Sequence, residues 1–316
     1  MTSRLTIKDI ARLSGVGKST VSRVINHEKS VNPQTRERVE AVIRAHGFTP
    51  SKSARAMRGQ SDKVVGIIVS RLDSASENQA VRTMLPLFYQ HGYDPIVMES
   101  RFSPERVEEH LHVLRQRRVD GVILFGFTGL DEAALRPWQA NMVTLARGYA
   151  GLSAVCYDDA GAIRLLMATL AARGHRQVSY IGVQPTDATT GQRRHQAYLA
   201  CCEEAGITPV VALGELCYQS GFRLAPEVLH PETTALICAS DTIALGAAQY
   251  LQQQGSAVQV GGIGNNSLLR FLFPQTLSVE MGYGTAGLRA AEQLLSQLQP
   301  SPADPQQITI PCRLAE

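Results

Sequence analysis

Residues 5–26, LTIKDIARLSGVGKSTVSRVIN, leave this chain few options. Thr6 stands where a helix N-cap belongs, and Asp9 follows three residues later, as a capping box requires. Ile7, Ile10, Ala11 and Leu13 then recur at helical spacing, so a first helix with one apolar face is expected. Ser14-Gly15 ends it, because glycine accepts the left-handed C-cap conformation. Val16, Thr20, Val21, Val24 and Ile25 form a second apolar stripe. The opposite face of that second helix carries Lys18, Ser19, Ser22 and Arg23, which can donate hydrogen bonds to phosphates and guanine edges. Two short helices around a tight turn, the second polar and basic outside, make a DNA-reading unit. A helical hairpin in an all-α protein would show the same stripes. GVGKST also imitates a phosphate-binding loop, but Arg12 occupies the outer glycine position and the preceding residues are helical. A nucleotide site is therefore excluded.

Charge favours the DNA reading. Residues 1–60 hold 12 Lys and Arg against 4 Asp and Glu, whereas the remainder holds 19 against 24. A basic head on a mildly acidic body is the footprint of a nucleic-acid-binding domain attached to something else. A third helix is expected over 32–46, with Asn32 as N-cap and Pro33 at the first helical position. Val39, Val42 and Ile43 face inward, Arg36, Arg38 and Arg44 outward, and Gly47 terminates it.

Residues 5–26 resemble the N-terminal signature of the LacI/GalR family of bacterial transcription repressors, T-I-x-D-I-A-x-x-A-G-V-S-x-x-T-V-S-R-V-L-N. The run departs at Ser14, Gly17 and Ile25, where the family usually has Ala, Ser and Leu. Glycine weakens an N-cap by only about a few tenths of a kcal/mol, so the second helix stands. The resemblance implies operator contacts at Thr6, Val16, Lys18, Ser19, Thr20, Ser22, Arg23 and Asn26, with Lys18 and Ser19 reading bases. Residues 49–60 are short, basic and poor in bulky apolar groups, so alone they read as a linker. The resemblance makes them a hinge helix that folds on DNA, with contacts from Ser53 and an apolar wedge from Met57, where the family usually has Leu.

From Lys63 the texture changes. Val64–Val69 is a continuous apolar run, the mark of a buried parallel strand. Further strands are expected at 95–98, 121–125, 142–146 and 154–157, with helices at 76–90, 103–118, 130–140 and 161–173. A second series of strands follows at 178–183, 210–212, 235–239, 258–262 and 276–279, with helices at 192–205, 242–254 and 285–298. Alternating strands and helices mean parallel sheets with helices on both faces. Two series mean two doubly wound lobes and a cleft. The resemblance adds a periplasmic-binding-protein-like fold, crossed by the chain about three times, with residues 307–310 as a strand in one lobe. The expected organisation is a helix-turn-helix head over 1–48, a hinge over 49–60 and an effector-binding, dimerising α/β body over 61–316.

Ligands of open α/β sheets sit beyond the carboxyl ends of the strands. The polar residues there are Arg71, Asp73 and Glu77, then Gly126 beside Phe125, then Arg147. In the second series they are Asp187, Arg193 and Arg194, Ser240-Asp241, Asn265-Asn266 and Tyr283. Phe125, Phe127, Trp138, Tyr149 and Tyr283 are candidates to stack on sugar rings. Each alone is more commonly a surface cation or a core aromatic; the clustering carries the argument. The family resemblance sharpens Asp241, in Cys238–Ala244, and Arg194, in Arg194–Tyr198, as effector-binding residues. With the strand-end positions, the expected effector set is Arg71, Glu77, Gly126, Arg147, Arg194, Asp241 and Tyr283.

Within that family, the runs 15–24, 53–65 and 120–129 are most similar to regulators of trehalose use. That implies trehalose 6-phosphate as effector and free trehalose as a weaker or competing ligand. Arg71, Arg147 and Arg194 suit such a dianion, which needs about two cationic partners to offset lost hydration. A same-fold repressor sensing another sugar or a purine is the alternative. An enzyme is less consistent with the chain, which has no G-x-S-x-G elbow, HExxH or sustained dinucleotide fingerprint. The expected partners are pseudo-palindromic operator DNA, a small-molecule effector and a second copy of the chain; no cofactor or membrane is expected. Six cysteines without CxxC spacing read as buried thiols in a reducing compartment, not a metal site. With no signal peptide and no apolar run of about 18 residues, a cytoplasmic location follows by default.

Overall fold

The computed structural model describes residues 5–25, 28, 30–48, 63–301 and 304–315. The chain forms two compact units, Met1–Asp62 and Lys63–Glu316. The expected hinge, with Ser53 and Met57, and also Asn26, lies outside the described residues.

In the first unit, helices α1 (Ile7–Ser14), α2 (Lys18–Ile25) and α3 (Pro33–Ala45) pack around Ile10, Ala11, Val21, Val24, Val39 and Phe48. The Asp9 carboxylate accepts the Thr6 backbone N–H at 2.9 Å and the Thr6 hydroxyl at 2.6 Å. Those two bonds hold the Asp9 pKa below its ordinary value. Gly15 takes the left-handed conformation, with φ 65°, and turns the chain into α2. Leu13 corrects the expected apolar face: it is 44% exposed, while Ser14 is buried. The Ser14 hydroxyl satisfies itself by donating to the Ile10 carbonyl, 2.6 Å away. Asn32 caps α3 as expected, its side chain accepting from Gln34 N at 2.9 Å.

The second unit is the two-lobed α/β body. Its first lobe contains β1 (Val64–Val69), α4 (Ala75–Gln90), β2 (Asp94–Glu99), α5 (Pro104–Gln116), β3 (Gly121–Phe125), α6 (Glu132–Leu135), β4 (Met142–Leu145) and β5 (Ser153–Tyr157). Then come α7 (Asp159–Ala172), β6 (Val178–Val183), α8 (Arg194–Ala205), β7 (Val211–Gly214), α9 (Tyr218–Val228) and β8 (Ala235–Cys238). They are followed by α10 (Asp241–Gln253), β9 (Gln259–Ile263), α11 (Ser267–Leu272), β10 (Leu277–Glu280), α12 (Tyr283–Gln297), β11 (Gln307–Ile310) and β12 (Arg313–Leu314).

One sheet has the order β11-β5-β4-β3-β1-β2 and is wholly parallel; the other runs β12-β10-β9-β8-β6-β7, with only β12 antiparallel. Three crossings join the lobes. After β5 the chain leaves the first sheet, and α7 packs on α8 and β10 of the second. After β10 it returns, and α12 packs on α4, β4 and β5. Between β11 and β12 it crosses once more. Each lobe thus borrows its finishing elements from chain that has visited the other, which ties the lobes at a hinge beside the cleft.

One expected element changes and two unexpected ones appear. The helix expected over 130–140 is only α6 and a 3₁₀ turn at Arg136–Trp138. Pro137 lacks the N–H that would continue an α-helix. The helices α9 and α11 were not expected. Gly221 and Pro226 interrupt the α9 pattern, and α11 is under two turns long. Glycine is needed where α9 crosses α10: a Cβ on Gly246 would overlap the Tyr218 carbonyl, and one on Gly221 the Ile243 carbonyl.

Candidate functional site

The outer face of α2 presents Lys18, Ser19 and Arg23 to solvent, with Thr20, Ser22 and Val16 half-buried. Arg23 leans toward Glu28, 3.9 Å away, and stays largely exposed. Thr6 is exposed as well, though its hydroxyl is engaged by Asp9. The arrangement is a basic, hydrogen-bond-donating helix face held at a fixed angle by a small core, which suits a DNA groove.

In the body, the carboxyl ends of β1, β3 and β4 meet the start of α7 and the ends of β6 and β7. Two adjoining cavities lie there, of about 450 Å³ and a more enclosed one of about 100 Å³. Phe102, Phe127, Asp187 and Leu216 line both. Arg71, Thr128, Gln184 and Thr186 belong to the larger; Glu77, Gly126, Asp159, Thr189, Arg194 and Tyr283 belong to the smaller.

The smaller cavity is built on one buried ion pair. Arg194 opens α8, 3% exposed, and sends Nε and Nη2 to Asp159 Oδ1 at 2.8 and 2.7 Å. Its Nη1 donates to the Ala239 carbonyl, and Tyr283 lines the same cavity. Burial opposes the Arg194 charge, but Asp159 outweighs it and the pKa rises. Tyr283 meets Tyr157 edge-on, centroids 5.0 Å apart, and burial pushes its phenol pKa up. On the facing lobe, Glu77 Oε2 accepts the backbone N–H groups of Ser70 at 2.7 Å and Arg71 at 3.3 Å. Burial exceeds the effect of those bonds and raises the Glu77 pKa to about 7. Asp187 caps the π-helical turn Ala188–Arg193, accepting from Thr189 N and Gly191 N.

The larger cavity has a cationic flank. Arg71 Nη1 reaches across the cleft to the Leu216 carbonyl, 3.0 Å away, while its Nε bonds Asp73 at 2.8 Å. Thr128 Oγ1 accepts from Arg147 Nη1 at 3.2 Å and from Ala188 N, across the cleft, at 2.8 Å. Arg147 lies over the Tyr149 ring, 5.5 Å from its centroid. Tyr149 in turn holds the loop at Phe127, donating to its carbonyl at 2.7 Å. A side chain at Gly126 would strike Tyr149 and the Arg147 carbonyl, so that bend must approach closely.

The structure therefore brings Arg71, Glu77, Gly126, Arg194 and Tyr283 to the cleft, with Arg147 behind Thr128. Asp241 is placed differently. It lines neither cavity; its Oδ2 accepts Asn266 N at 2.6 Å and the Ser278 hydroxyl at 2.7 Å. Burial raises its pKa to about 6. Arg193 is exposed and Trp138 is core, under the Arg115 guanidinium. Sequence reasoning missed Asp159, Thr128, Thr189, Thr190, Tyr157, Phe102 and Leu216. A signal existed for Asp159, which lies two residues past the end of β5.

Comparison with known proteins agrees with this geometry. Residues 6–51 match the family described as bacterial regulatory proteins, lacI family, and residues 167–316 match a periplasmic binding protein-like domain. The chain is 58% identical over 316 residues, all of both chains, to the HTH-type transcriptional regulator TreR of Escherichia coli strain K12. The chain belongs to the LacI family. Among solved structures, the LacI-type body is similar to the trehalose repressor from Escherichia coli, with a TM-score of 0.79 and 54% identity over 81% of this chain and 100% of that one. The lac repressor dimer bound to operator and the anti-inducer ONPF shares the fold, with a TM-score of 0.83 at 22% identity over 99% and 98% of the two chains. Like other LacI-family members, the chain is a DNA-binding transcription regulator.

Proposed function

We propose that this protein represses genes for trehalose uptake and use, and that trehalose 6-phosphate in the cleft releases it from its operator. Free trehalose is the weaker, competing ligand. Full-length 58% identity to TreR carries this reading. The cleft supports it. The smaller cavity offers carboxylates, hydroxyls and an aromatic pair to a sugar's hydroxyls. Arg71, and Arg147 through Thr128, flank the larger cavity where a phosphate would sit. The effector contacts proposed are Arg71, Glu77, Gly126, Arg147, Arg194 and Tyr283; Asp241 instead braces the strand ends of its own lobe, through Asn266 and Ser278, without touching the ligand.

The working unit is a cytoplasmic homodimer acting as a regulator rather than a catalyst. An apolar groove of about 440 Å³ between α9, α10 and α11, lined by Tyr218, Phe222, Leu245 and Phe273, is the surface for the second copy. Two heads, 1–48, then span the half-sites of a pseudo-palindromic operator, and the hinges, 49–60, fold between them through Ser53 and Met57. Asn26 completes the head's contact set. Ligand closes the body, 61–316, in a geometry that keeps the hinges apart. The coupling is no larger than the ligand's differential affinity for the two states.

A gel shift on operator DNA, titrated with trehalose 6-phosphate, trehalose, other sugars and purines, tests this. Release by trehalose 6-phosphate at lower concentration than by trehalose is expected. Equal potency removes the phosphate preference, and release only by another compound replaces the effector. In the same assay Lys18→Ala relaxes operator sequence preference; uniform weakening across sequences would make Lys18 a phosphate contact.

A further inference from the structure

We propose that Asp159 is itself a ligand-binding residue: its Oδ2 accepts a hydrogen bond from a sugar hydroxyl while its Oδ1 holds Arg194. This rests on the sugar reading above and adds to it which end of the ligand occupies the smaller cavity.

The pairing of Arg194 with Asp159 is one-sided. Both guanidinium nitrogens converge on Oδ1, at 2.8 and 2.7 Å. An Arg–carboxylate fork normally uses both oxygens. Here the remaining guanidinium nitrogen, Nη1, is taken by the Ala239 carbonyl. Oδ2 is left with no hydrogen-bond partner, on a side chain only 1% exposed. A buried carboxylate oxygen without a donor is costly. Two other buried side-chain atoms share that condition among the described residues, the Tyr180 hydroxyl and Gln297 Oε1. Tyr180 is stacked between His195 and Tyr198, and neither it nor Gln297 lines a cleft cavity. Asp159 does, beside Arg194, Thr189, Thr190 and Tyr283.

A carboxylate is an acceptor only, so Oδ2 selects a donor and repels a phosphate. The unphosphorylated ring of a sugar phosphate therefore occupies this cavity. Its phosphate points to the larger one, beside Arg71. Asp159 reads a hydroxyl that trehalose and trehalose 6-phosphate share, whereas Arg71 tells the two apart.

The test is calorimetry on the full-length protein with trehalose 6-phosphate and its monodeoxy analogues, on wild type, Asp159→Asn and Tyr180→Phe. Wild type is expected to bind one analogue about tenfold or more weakly than the parent. Asp159→Asn, which keeps the shape but turns one oxygen into a donor, is expected to bind that analogue and the parent alike. Tyr180→Phe is expected to match wild type. If Asp159→Asn weakens every ligand by one common factor, or weakens none, Asp159 only supports Arg194 and the proposal falls. It falls equally if Tyr180→Phe erases the same analogue's deficit. Should Asp159→Asn fail to fold, Asp159→Glu keeps the charge that Arg194 needs and carries the same comparison. Wild type binding neither trehalose nor its phosphate would sink the sugar reading, and this proposal with it. Binding with no analogue deficit in wild type sinks the proposal alone.

Discussion

Asp159 and Asp241 occupy equivalent places. Each is the first residue of a helix that follows a strand, α7 after β5 and α10 after β8. They are 2% and 3% exposed. Their bonds nonetheless differ in kind. Asp241 spends both oxygens inside the protein, on the Ser278 hydroxyl and the Asn266 N–H, and ties the ends of β8, β9 and β10 together. Asp159 gives one oxygen to a cation and leaves the other without a hydrogen-bond partner, on a residue that lines the smaller cavity. Position at a strand end makes an aspartate available for ligand; whether its lone pairs are already spent decides if it is used.

The comparison makes its largest prediction at Arg194. Arg194→Leu leaves the Asp159 carboxylate buried without its counter-charge, which costs about 4 kcal/mol in urea unfolding. Ligand binding is lost as well. A cost below about 1 kcal/mol would mean that the pair is not what organises this wall.

Asp241→Ala should cost less, about 3 kcal/mol, from a buried hydroxyl and N–H left without an acceptor. Its folded fraction should keep ligand affinity to within about threefold in calorimetry, since affinity differences of that size are under about 1 kcal/mol. A hundredfold loss would place Asp241 on the ligand and abolish the contrast with Asp159.

Glu77, on the facing lobe, extends the contrast to a buried acid whose partners are backbone N–H groups of its own lobe. Its folded pKa of about 7 lies above the ordinary 4.5, because burial outweighs those bonds. The folded state then keeps a proton that the unfolded chain has released, so stability falls as pH rises from about 4.5 to about 7 and levels beyond. Glu77→Gln keeps an acceptor for Ser70 and Arg71 but cannot ionise. Its advantage over wild type should grow through that window to about 3 kcal/mol at pH 8. Asp241, with a pKa of about 6, adds a slope of the same sign below pH 6 in both proteins and drops out of the difference. Thermal melts across pH check it; a variant that loses ground as pH rises would reverse the sign and the cause.

Much of this was readable from residues alone. The runs 64–69, 121–125 and 178–183 are strands at the expected bounds, because a continuous apolar run buried on both faces has few other solutions. Thr6 with Asp9, and Asn32 with Pro33, marked their helix starts through local bonds that need no tertiary partner. The misses are non-local. Leu13 belongs to the apolar stripe by spacing, yet a two-turn helix packs on its neighbours through Ile7, Ile10, Ala11 and Ser14 and leaves Leu13 outside. Asp159 went unnoticed because 158–160 read as the lead-in to a helix expected from Gly161. The partner that gives it meaning, Arg194, is 35 residues away. Asp241 stood out by its motif, while the bonds that occupy it come from Asn266 and Ser278, which spacing does not connect to it.

The smallest stability effect should accompany a large effect on binding, at Arg71. Its ion pair with Asp73 is partly exposed, the aspartate side chain 77% so, and such pairs contribute little. Arg71→Gln should therefore shift unfolding by less than about 0.5 kcal/mol. In the cleft it removes the cation beside the larger cavity, so trehalose 6-phosphate should bind at least about tenfold more weakly, the worth of one charge-assisted hydrogen bond. Trehalose, which has no phosphate to lose, should change by less than about threefold. The two calorimetric curves thus converge in the variant. Should both ligands weaken together, Arg71 acts by bridging to Leu216 and setting lobe closure, and the phosphate must be held by Arg147 instead.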